Sequence, residues 1–210
     1  MRKWLIAFCI MACIASGYMT LSTIYDHSSG KNSYSSIKNE VYRVEQVASE
    51  DNISLPVIDE DALRDINNEY SAWLYIPDTG IDYPVVSCDN DEKYLKLTFD
   101  KQKKSCGCLF FSHNDTGYPT IYGHNMKSGD MFGGLKKYRE VDGYAYEHNK
   151  LYLYKDGEWI EYKYLHNYIS SEPIFVVDNA DNVLVLHTCY GKTKWLEVVW
   201  EKERTVEDNS

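Results

Sequence analysis

Residues 150–165 read KLYLYKDGEWIEYKYL, and this stretch predicts two antiparallel strands joined by a short turn. Apolar and polar side chains alternate on both sides of Asp156 and Gly157, which is the period of a half-buried strand. An Asp-Gly pair tolerates the positive φ angles of a two-residue turn, so we expect the chain to reverse at Lys155-Asp156-Gly157. The stretch therefore predicts a β-hairpin within a fold made mostly of strands.

Short apolar runs separated by Gly, Asn and Asp continue on both sides of this hairpin. They read WLYIP (73–77), IDYPVV (81–86), GCLFF (107–111), PTIYG (119–123), IFVV (174–177), VLVLHTCY (183–190) and WLEVVW (195–200). Such spacing is typical of an antiparallel sandwich or barrel, and the 19 tyrosines favour pleated surfaces. Residues 59–70, DEDALRDINNEY, instead have the acidic start and apolar spacing of a short helix that packs on the body.

The first 25 residues predict a membrane anchor. Residues 4–25 carry no charge and are long enough to cross a hydrocarbon core, which needs about 20 apolar residues. Arg2 and Lys3 precede them, so the positive-inside bias places the N-terminus in the cytoplasm and the rest of the chain outside. A cleaved signal peptide is the alternative, although its apolar region is usually about 7–15 residues. We expect a single-pass protein of the cell membrane with an extracellular body.

Four segments follow from these patterns. They are a signal anchor at 1–25, a polar and partly helical stalk at 26–66, a β domain at 67–205 and a tail at 206–210. The stalk includes a loose helical pattern, IKNEVYRVEQVA, at 37–48. A chain of 210 residues suits one domain plus an appendage. Its net charge of −10 argues against a nucleic-acid partner, because phosphates bind basic surfaces.

The six cysteines leave their redox state open. Two of them lie in the predicted membrane span, where cysteine behaves as a small apolar residue. A disulfide from Cys88 to Cys106 or Cys108 and free thiols are both compatible with an extracellular body. Cys106-Gly-Cys108 alone does not supply the four ligands that a zinc site needs, so we expect no metal.

Two strand ends carry residues suited to thiol catalysis. VLVLHTCYG (183–191) ends an apolar strand at Cys189, where a thiol can meet a substrate. PTIYGHNM (119–126) delivers His124 into a loop, and an imidazole titrates near neutral pH. A buried structural cysteine and a solvated histidine are the ordinary alternatives for each residue alone. Together they form the pair that thiol nucleophilic catalysis requires.

These motifs resemble those of the sortase family, and in particular its class B branch. The similarity runs from about residue 67 to residue 200 through WLYIPDTGIDYPVV, DNDEKYLKLTFD, GCLFF, TIYGHNMKSGDMFGGLKKY and VLHTC, in family order. TIYGHNM is similar to the family's histidine motif, and VLHTC resembles TLxTC with Val185 in place of the first threonine. The resemblance implies a closed eight-stranded β-barrel with short peripheral helices, which here follows an N-terminal transmembrane helix.

The resemblance also implies a cysteine transpeptidase that needs no cofactor. Such an enzyme cleaves a C-terminal sorting signal of the NPxTG-like or LPxTG-like type after its threonine. It then transfers the acyl group of the surface protein to an amine of a peptidoglycan precursor or of a pilin. Cys189 would be the nucleophile and His124 its acid–base partner. Leu95, Tyr122 and Thr188 match family positions that line the signal groove.

The chain departs from the family at one catalytic position. Sortases have an arginine at the start of the strand after the cysteine, and its guanidinium stabilises the developing oxyanion. GKTKWLEVVWEKER (191–204) places Trp195 at that position, with Lys194 beside it and Arg204 too far along. Lys194 is the predicted substitute, because an ammonium supplies charge without the planar fork. His187 is a further candidate, because residues two apart on a strand share a face. The alternative is a catalytically impaired sortase-fold binding or assembly accessory protein.

Two further features bear on specificity and on a rival function. The segment at 168–183 is shorter than the helix-bearing insertion usual in class B, so we expect a different signal preference. DTG at 78–80 and at 115–117 would suit an aspartic protease. The two triplets lie too close together to come from duplicated lobes, and turn chemistry explains them better.

We predict that protease added to intact, wall-stripped cells removes the body beyond Tyr25, because the Arg2-Lys3 bias places it outside. Immunoblotting against a C-terminal epitope measures this, and a cytoplasmic protein serves as the control for cell integrity. A body that resists the protease until the cells are lysed would reverse the topology.

Overall fold

The computed structural model describes residues 2–48, 53–112, 117–171 and 182–206. The helices within these ranges are α1 (Arg2–Val41), α2 (Glu60–Ile66), α3 (Lys137–Glu140), α4 (Tyr144–Glu147) and a 3₁₀ turn, η1 (Lys93–Leu95). The strands are β1 (Tyr42–Ala48), β2 (Ser54–Ile58), β3 (Tyr70–Ile76), β4 (Ile81–Val86), β5 (Leu109–Phe111), β6 (Thr120–Tyr122), β7 (Lys150–Lys155), β8 (Glu158–Ser170), β9 (Val183–Tyr190) and β10 (Lys194–Val206). The apolar run at 174–177 lies outside the described residues.

Eight strands close into a barrel in the order β10-β8-β7-β3-β4-β5-β6-β9, while β1 and β2 form a separate antiparallel pair. The closed barrel confirms the predicted fold. Two neighbouring pairs, β4 with β5 and β6 with β9, are parallel, so the expectation of a purely antiparallel sheet is wrong at these places. Parallel neighbours require crossover connections, which alternating patterns within single runs do not reveal.

The hairpin at 150–165 forms β7 and β8 as expected. Lys155 pairs with Glu158, and the two residues between them, Asp156 and Gly157, have φ angles of 53° and 86°. A two-residue turn of this kind requires positive φ at both central positions, which asparagine, aspartate and glycine tolerate best. The predicted turn is therefore confirmed.

The predicted short helix is confirmed as α2, which spans fewer residues than the pattern at 59–70. Asp59 caps its N-terminus by accepting a hydrogen bond from the backbone N–H of Ala62 at 3.1 Å. Leu63 is buried and faces the body. The helix ends at Ile66 because the chain then turns into β3, whose first residue is Tyr70.

The N-terminal part of α1 exposes its apolar side chains. Trp4, Phe8, Ile14 and Tyr18 are each more than half exposed. Among the described residues, α1 is the one helix long and apolar enough to cross a membrane. An apolar surface of this length fits single-pass membrane anchoring, because lipid chains can cover it.

The C-terminal part of α1 packs against the barrel. Tyr34, Ile37 and Val41 are buried, and the Tyr34 hydroxyl donates to the carbonyl of Gly107 at 2.6 Å. The segment expected to be a stalk thus contacts the body over its helical part. The helical pattern expected up to residue 48 stops at Val41, because the following residues pair with β2 as a strand.

Asp82 on β4 fastens this part of the chain to the barrel. One carboxylate oxygen accepts hydrogen bonds from the Trp73 indole at 2.7 Å and from the Tyr42 hydroxyl. The other oxygen pairs with the ammonium of Lys38. Hydrogen bonds to an ionised group are stronger than neutral ones, so this carboxylate holds both α1 and β1 in place.

Alternation along β9 determines which of its side chains face the barrel interior. Leu184 and Leu186 lie in the main core, whereas Val183 and Val185 belong to a separate cluster. Successive side chains on a strand point to opposite faces. Cys189 therefore lies on the outer face with the two valines.

Asn67 holds the loop that carries η1. Its side-chain amide donates to the Tyr94 hydroxyl at 2.7 Å and to the Phe99 carbonyl at 2.8 Å, and its oxygen accepts from the backbone N–H of Glu69 at 3.1 Å. Asn67 is fully buried, so water cannot replace these bonds. It thereby fixes the position of η1 and of the Leu95 carbonyl at its end.

Asn67→Ala is expected to lower the free energy of unfolding by about 1–3 kcal/mol for each buried group left unpaired. The exposed neighbour supplies a matched control, because Asn68→Ala should change stability by no more than about 0.5 kcal/mol. Chemical denaturation followed by tryptophan fluorescence measures both. Equal effects of the two substitutions would contradict this role of Asn67.

Candidate active site

Cys189 is the penultimate residue of β9 and is half-buried. The hydroxyl of Tyr122, the last residue of β6, lies 3.3 Å from its Sγ. The Asn125 side chain donates to the backbone carbonyl of Cys189 at 2.7 Å. The end of β6 and the loop after it are thus fastened to the end of β9.

His124 lies in this loop, two residues beyond β6. Its Nε2 is 2.7 Å from the carbonyl oxygen of Leu95. A carbonyl only accepts hydrogen bonds, so Nε2 carries the hydrogen in this arrangement and Nδ1 is the nitrogen that can accept a proton. The preceding Gly123 is required by packing, because a Cβ there would lie 2.5 Å from a Leu109 methyl and 2.6 Å from the Phe132 ring.

Tyr122 lies between two imidazoles. Its ring centroid is 5.8 Å from that of His124 and 5.5 Å from that of His187. Burial raises the pKa of Tyr122, and its hydrogen bond with Cys189 raises the pKa further. The phenol therefore stays protonated at neutral pH and can donate to the sulfur.

A buried polar pair lies on the outer face beside these residues. His187 on β9 is directly opposite Glu197 on β10, and its Nδ1 is 2.7 Å from a carboxylate oxygen of Glu197. His187 is 7% exposed and Glu197 is 0% exposed, so His187 is not a solvated surface histidine. Our sequence reasoning did not find Glu197. The signal for it is a single carboxylate in the otherwise apolar run WLEVVW (195–200).

A cleft of about 420 Å³ opens over this part of the barrel. The side chains that line it are Asp91, Glu92, Leu95, Phe110, Ser112, Tyr122, His187 and Trp195. A second cavity, of about 640 Å³, contains His124 and several lysines, and Leu95 lines both. The structure thus brings Leu95 and Tyr122, two of the predicted groove residues, to the same cleft.

Thr188, the third predicted groove residue, has a different position. It is fully buried, opposite Leu196, on the core face of β9. Its hydroxyl donates to the Gly123 carbonyl at 2.6 Å. The expected contact of Thr188 with a substrate is therefore corrected: the residue fixes the junction of β6 and β9 from within the barrel.

The strand register separates Lys194 from the thiol. Trp195 is directly opposite Cys189, whereas Lys194 is opposite Tyr190 and is exposed. Because alternate residues point to opposite faces, Lys194 lies on the other face of the sheet from Cys189. Arg204 pairs with Glu161 at 3.0 Å, and no arginine among the described residues lines the cleft. The predicted role of Lys194 stays a prediction.

All six cysteines are free thiols, which excludes the disulfide that the sequence left open. Burial raises the pKa of Cys106 to about 11 and that of Cys108 to about 12. Both are therefore neutral thiols at pH 7, and neutral thiols are poor nucleophiles. Within the described residues, no group of three or more His, Cys, Asp or Glu could hold a metal ion.

Comparisons with known proteins agree with these motifs. A family model described as the sortase domain matches residues 74–206. The chain is 38% identical over 90 residues to sortase B of Listeria monocytogenes, a match that covers 39% of this chain and 37% of the relative. It is 27% identical over 89 residues to sortase B of Staphylococcus aureus, which covers 40% and 36%. The matches therefore span little more than a third of each curated relative.

The fold is also similar to that of a solved structure, sortase B from Bacillus anthracis in complex with AAEK1. The TM-score is 0.70 at 23% sequence identity, and the superposition covers 86% of this chain and 99% of that chain. This similarity shows that the two chains share the barrel fold.

Iodoacetamide at neutral pH is expected to modify Cys189 in the folded full-length protein and to leave Cys106 and Cys108 as thiols. Burial blocks access to these two, and their raised pKa disfavours the thiolate. Peptide mass spectrometry locates the modification, and alkylation in denaturant is the control in which all three react. Rapid modification of Cys108 in the folded protein would contradict the prediction.

Proposed function

Because the chain belongs to the sortase family and is class B-like, we propose that it is a cysteine transpeptidase in which Cys189 is the nucleophile and His124 the acid–base partner. The main support for this proposal is that hydrogen bonds hold the His124 loop against the end of β9. Asn125 bonds to the Cys189 carbonyl, and the Tyr122 hydroxyl lies beside the Cys189 sulfur. A thiol and an imidazole thus come from two adjacent strand ends, as thiol catalysis requires.

The proposed reaction has two acyl-transfer steps. The Cys189 thiolate attacks the carbonyl carbon of the signal's threonine, and the peptide bond to the next residue breaks as His124 gives a proton to the leaving amine. The product is a thioester between Cys189 and the surface protein. An acceptor amine then attacks the thioester, His124 removes a proton from that amine, and Cys189 leaves as the thiolate.

We propose a surface protein with an NPxTG-like or LPxTG-like signal as the acyl donor. Leu95 and Tyr122 give the cleft apolar walls that suit the leucine or proline of such a signal. The acceptor would be an amine of a peptidoglycan precursor or of a pilin. Since α1 fits a single-pass anchor, we further propose that the barrel works on the outer side of the cell membrane, where these partners are found.

A second candidate function is a binding or assembly accessory role without turnover. The observation that favours it is Trp195, which lies opposite Cys189 at the position where other sortases have an arginine. An indole can donate one hydrogen bond but carries no charge. This candidate predicts a folded protein that binds signal peptides and forms no thioester.

We predict that Cys189→Ala abolishes cleavage of signal peptides and that His124→Ala lowers the rate by about 10²–10⁴-fold. The assay presents NPxTG-like and LPxTG-like peptides to the full chain in detergent and detects cleavage and the thioacyl adduct by mass. Cys88→Ala removes a thiol that donates to the Asn90 carbonyl and is the matched control, so its cleavage rate should be unchanged.

Residual cleavage by a folded Cys189→Ala protein would exclude the proposed nucleophile. A wild-type chain that binds these peptides without forming an adduct would favour the accessory role. Full activity in His124→Ala would transfer the acid–base role to His187.

A further inference from the structure

The buried pair of His187 and Glu197 has no part in the reaction as described so far. Glu197 is fully buried on β10, and neither of its carboxylate oxygens has a well-aligned hydrogen bond among the described residues. The ion-pair partner that these residues offer it is Nδ1 of His187, at 2.7 Å. Tyr168 lies opposite Glu197 on β8, where burial and then this carboxylate raise the pKa of the phenol.

Stability of the fold does not account for this pair. A buried ion pair recovers its desolvation cost only with good geometry and further hydrogen bonds, and well-packed apolar residues often stabilise as much or more. The neighbours of Glu197 on the same face of β10 are Trp195 and Val199, which are apolar. An apolar side chain at 197 would continue that surface. The pair therefore indicates a use for the His187 imidazole.

The imidazole lies next to the thiol and within the cleft. His187 precedes Cys189 by two residues on the same face of β9, so their Cα atoms are about 6.6 Å apart. Its ring lies between Trp195, at 4.9 Å between centroids, and Tyr122, at 5.5 Å. His187 lines the cleft together with these two aromatic residues. Because Nδ1 faces Glu197, Nε2 is the ring nitrogen left for a molecule in the cleft.

We propose that His187, held by Glu197, donates a hydrogen bond from Nε2 to the acyl carbonyl oxygen of the sorting signal; the inference rests on the proposed function. As the Cys189 sulfur bonds to the carbonyl carbon, the π electron pair moves onto this oxygen. His187 keeps its proton and stabilises the negative charge, as an oriented oxyanion donor does. The carboxylate balances the imidazolium, so Glu197 is a positioning residue that does not touch the substrate.

The test is the rate constant of thioacyl formation, measured by rapid quench and mass detection with a signal peptide that the wild-type chain cleaves. His187→Ala is expected to lower this rate constant by about 10²–10³-fold, the effect of losing one oxyanion donor. The KM should change less than this rate constant, because the hydrogen bond to the carbonyl oxygen strengthens as negative charge develops on it. The exposed His166 on the same sheet provides the matched control, and His166→Ala should keep the wild-type rate.

His187→Gln separates a donor from a base. A glutamine amide can donate a hydrogen bond near the position of Nε2 but cannot take up a proton at neutral pH. If His187 acts as a donor, His187→Gln should recover part of the lost rate and form the thioacyl adduct at least about tenfold faster than His187→Ala. A folded His187→Gln protein as slow as His187→Ala would overturn the proposal. So would a wild-type rate in His187→Ala, or a loss in Lys194→Ala that His187→Ala does not share.

Glu197→Gln tests the positioning role without removing the donor. The neutral amide no longer balances the imidazolium, so thioacyl formation should slow at a temperature where the variant is fully folded, although the loss of one charge of a buried pair lowers the melting temperature. A lower rate that follows only from a lower melting temperature would indicate a structural role and overturn this assignment. A wild-type chain that acylates no signal peptide would instead refute the proposed function, and Cys189→Ala in the same assay shows that the adduct forms at the intended sulfur.

Discussion

The parallel pairing of β6 with β9 is the constraint on which the rest of the site depends. Because the two strands run in the same direction, both end at the same edge of the barrel, and the residues that follow them meet there. Tyr122 is opposite His187, the Gly123 N–H donates to the His187 carbonyl at 3.1 Å, and the Thr188 hydroxyl donates to the Gly123 carbonyl. This ladder of contacts brings the His124 loop to the thiol from a point more than 60 residues away in the chain.

The two faces of β9 have different roles: one packs in the barrel, and the other carries the proposed reactive groups. Leu186 and Thr188 point into the barrel, where apolar packing and a buried hydrogen bond fix the strand. His187 and Cys189 point out, and their strand partners Glu197 and Trp195 on β10 face the same way. A rigid strand holds its outward side chains more precisely than a loop does, so closure of the barrel also orients the groups of the cleft.

Local sequence patterns determined those features whose physical cause is local. The Asp156-Gly157 turn, the acidic start of α2 and the strand ends that carry Cys189 and His124 follow from propensity and motif, and the structure has the turn and the helix where the patterns place them. Register, crossovers and partner strands are not local. The sequence therefore could not show that Lys194 faces away from Cys189, that Thr188 is covered, or that Glu197 meets His187. For the same reason β1 is a strand, since pairing with β2 outweighs a weak helical pattern.

The charge balance of the cleft argues for oriented donors in place of net positive charge. Asp91 and Glu92 are part of its lining, and the chain as a whole carries a net charge of −10. In the proposed role, His187 and Glu197 together add no net charge to the site, so the pair acts on an oxyanion only at hydrogen-bond distance. A hydrogen-bond donor that the fold already orients toward the oxyanion does not have to be reoriented as charge develops. Water molecules in the same place would have to reorient, which costs free energy. The proposed role of the His187–Glu197 pair depends on geometry, whereas a free guanidinium would act through both charge and geometry. It therefore depends more strictly on where β10 holds Glu197.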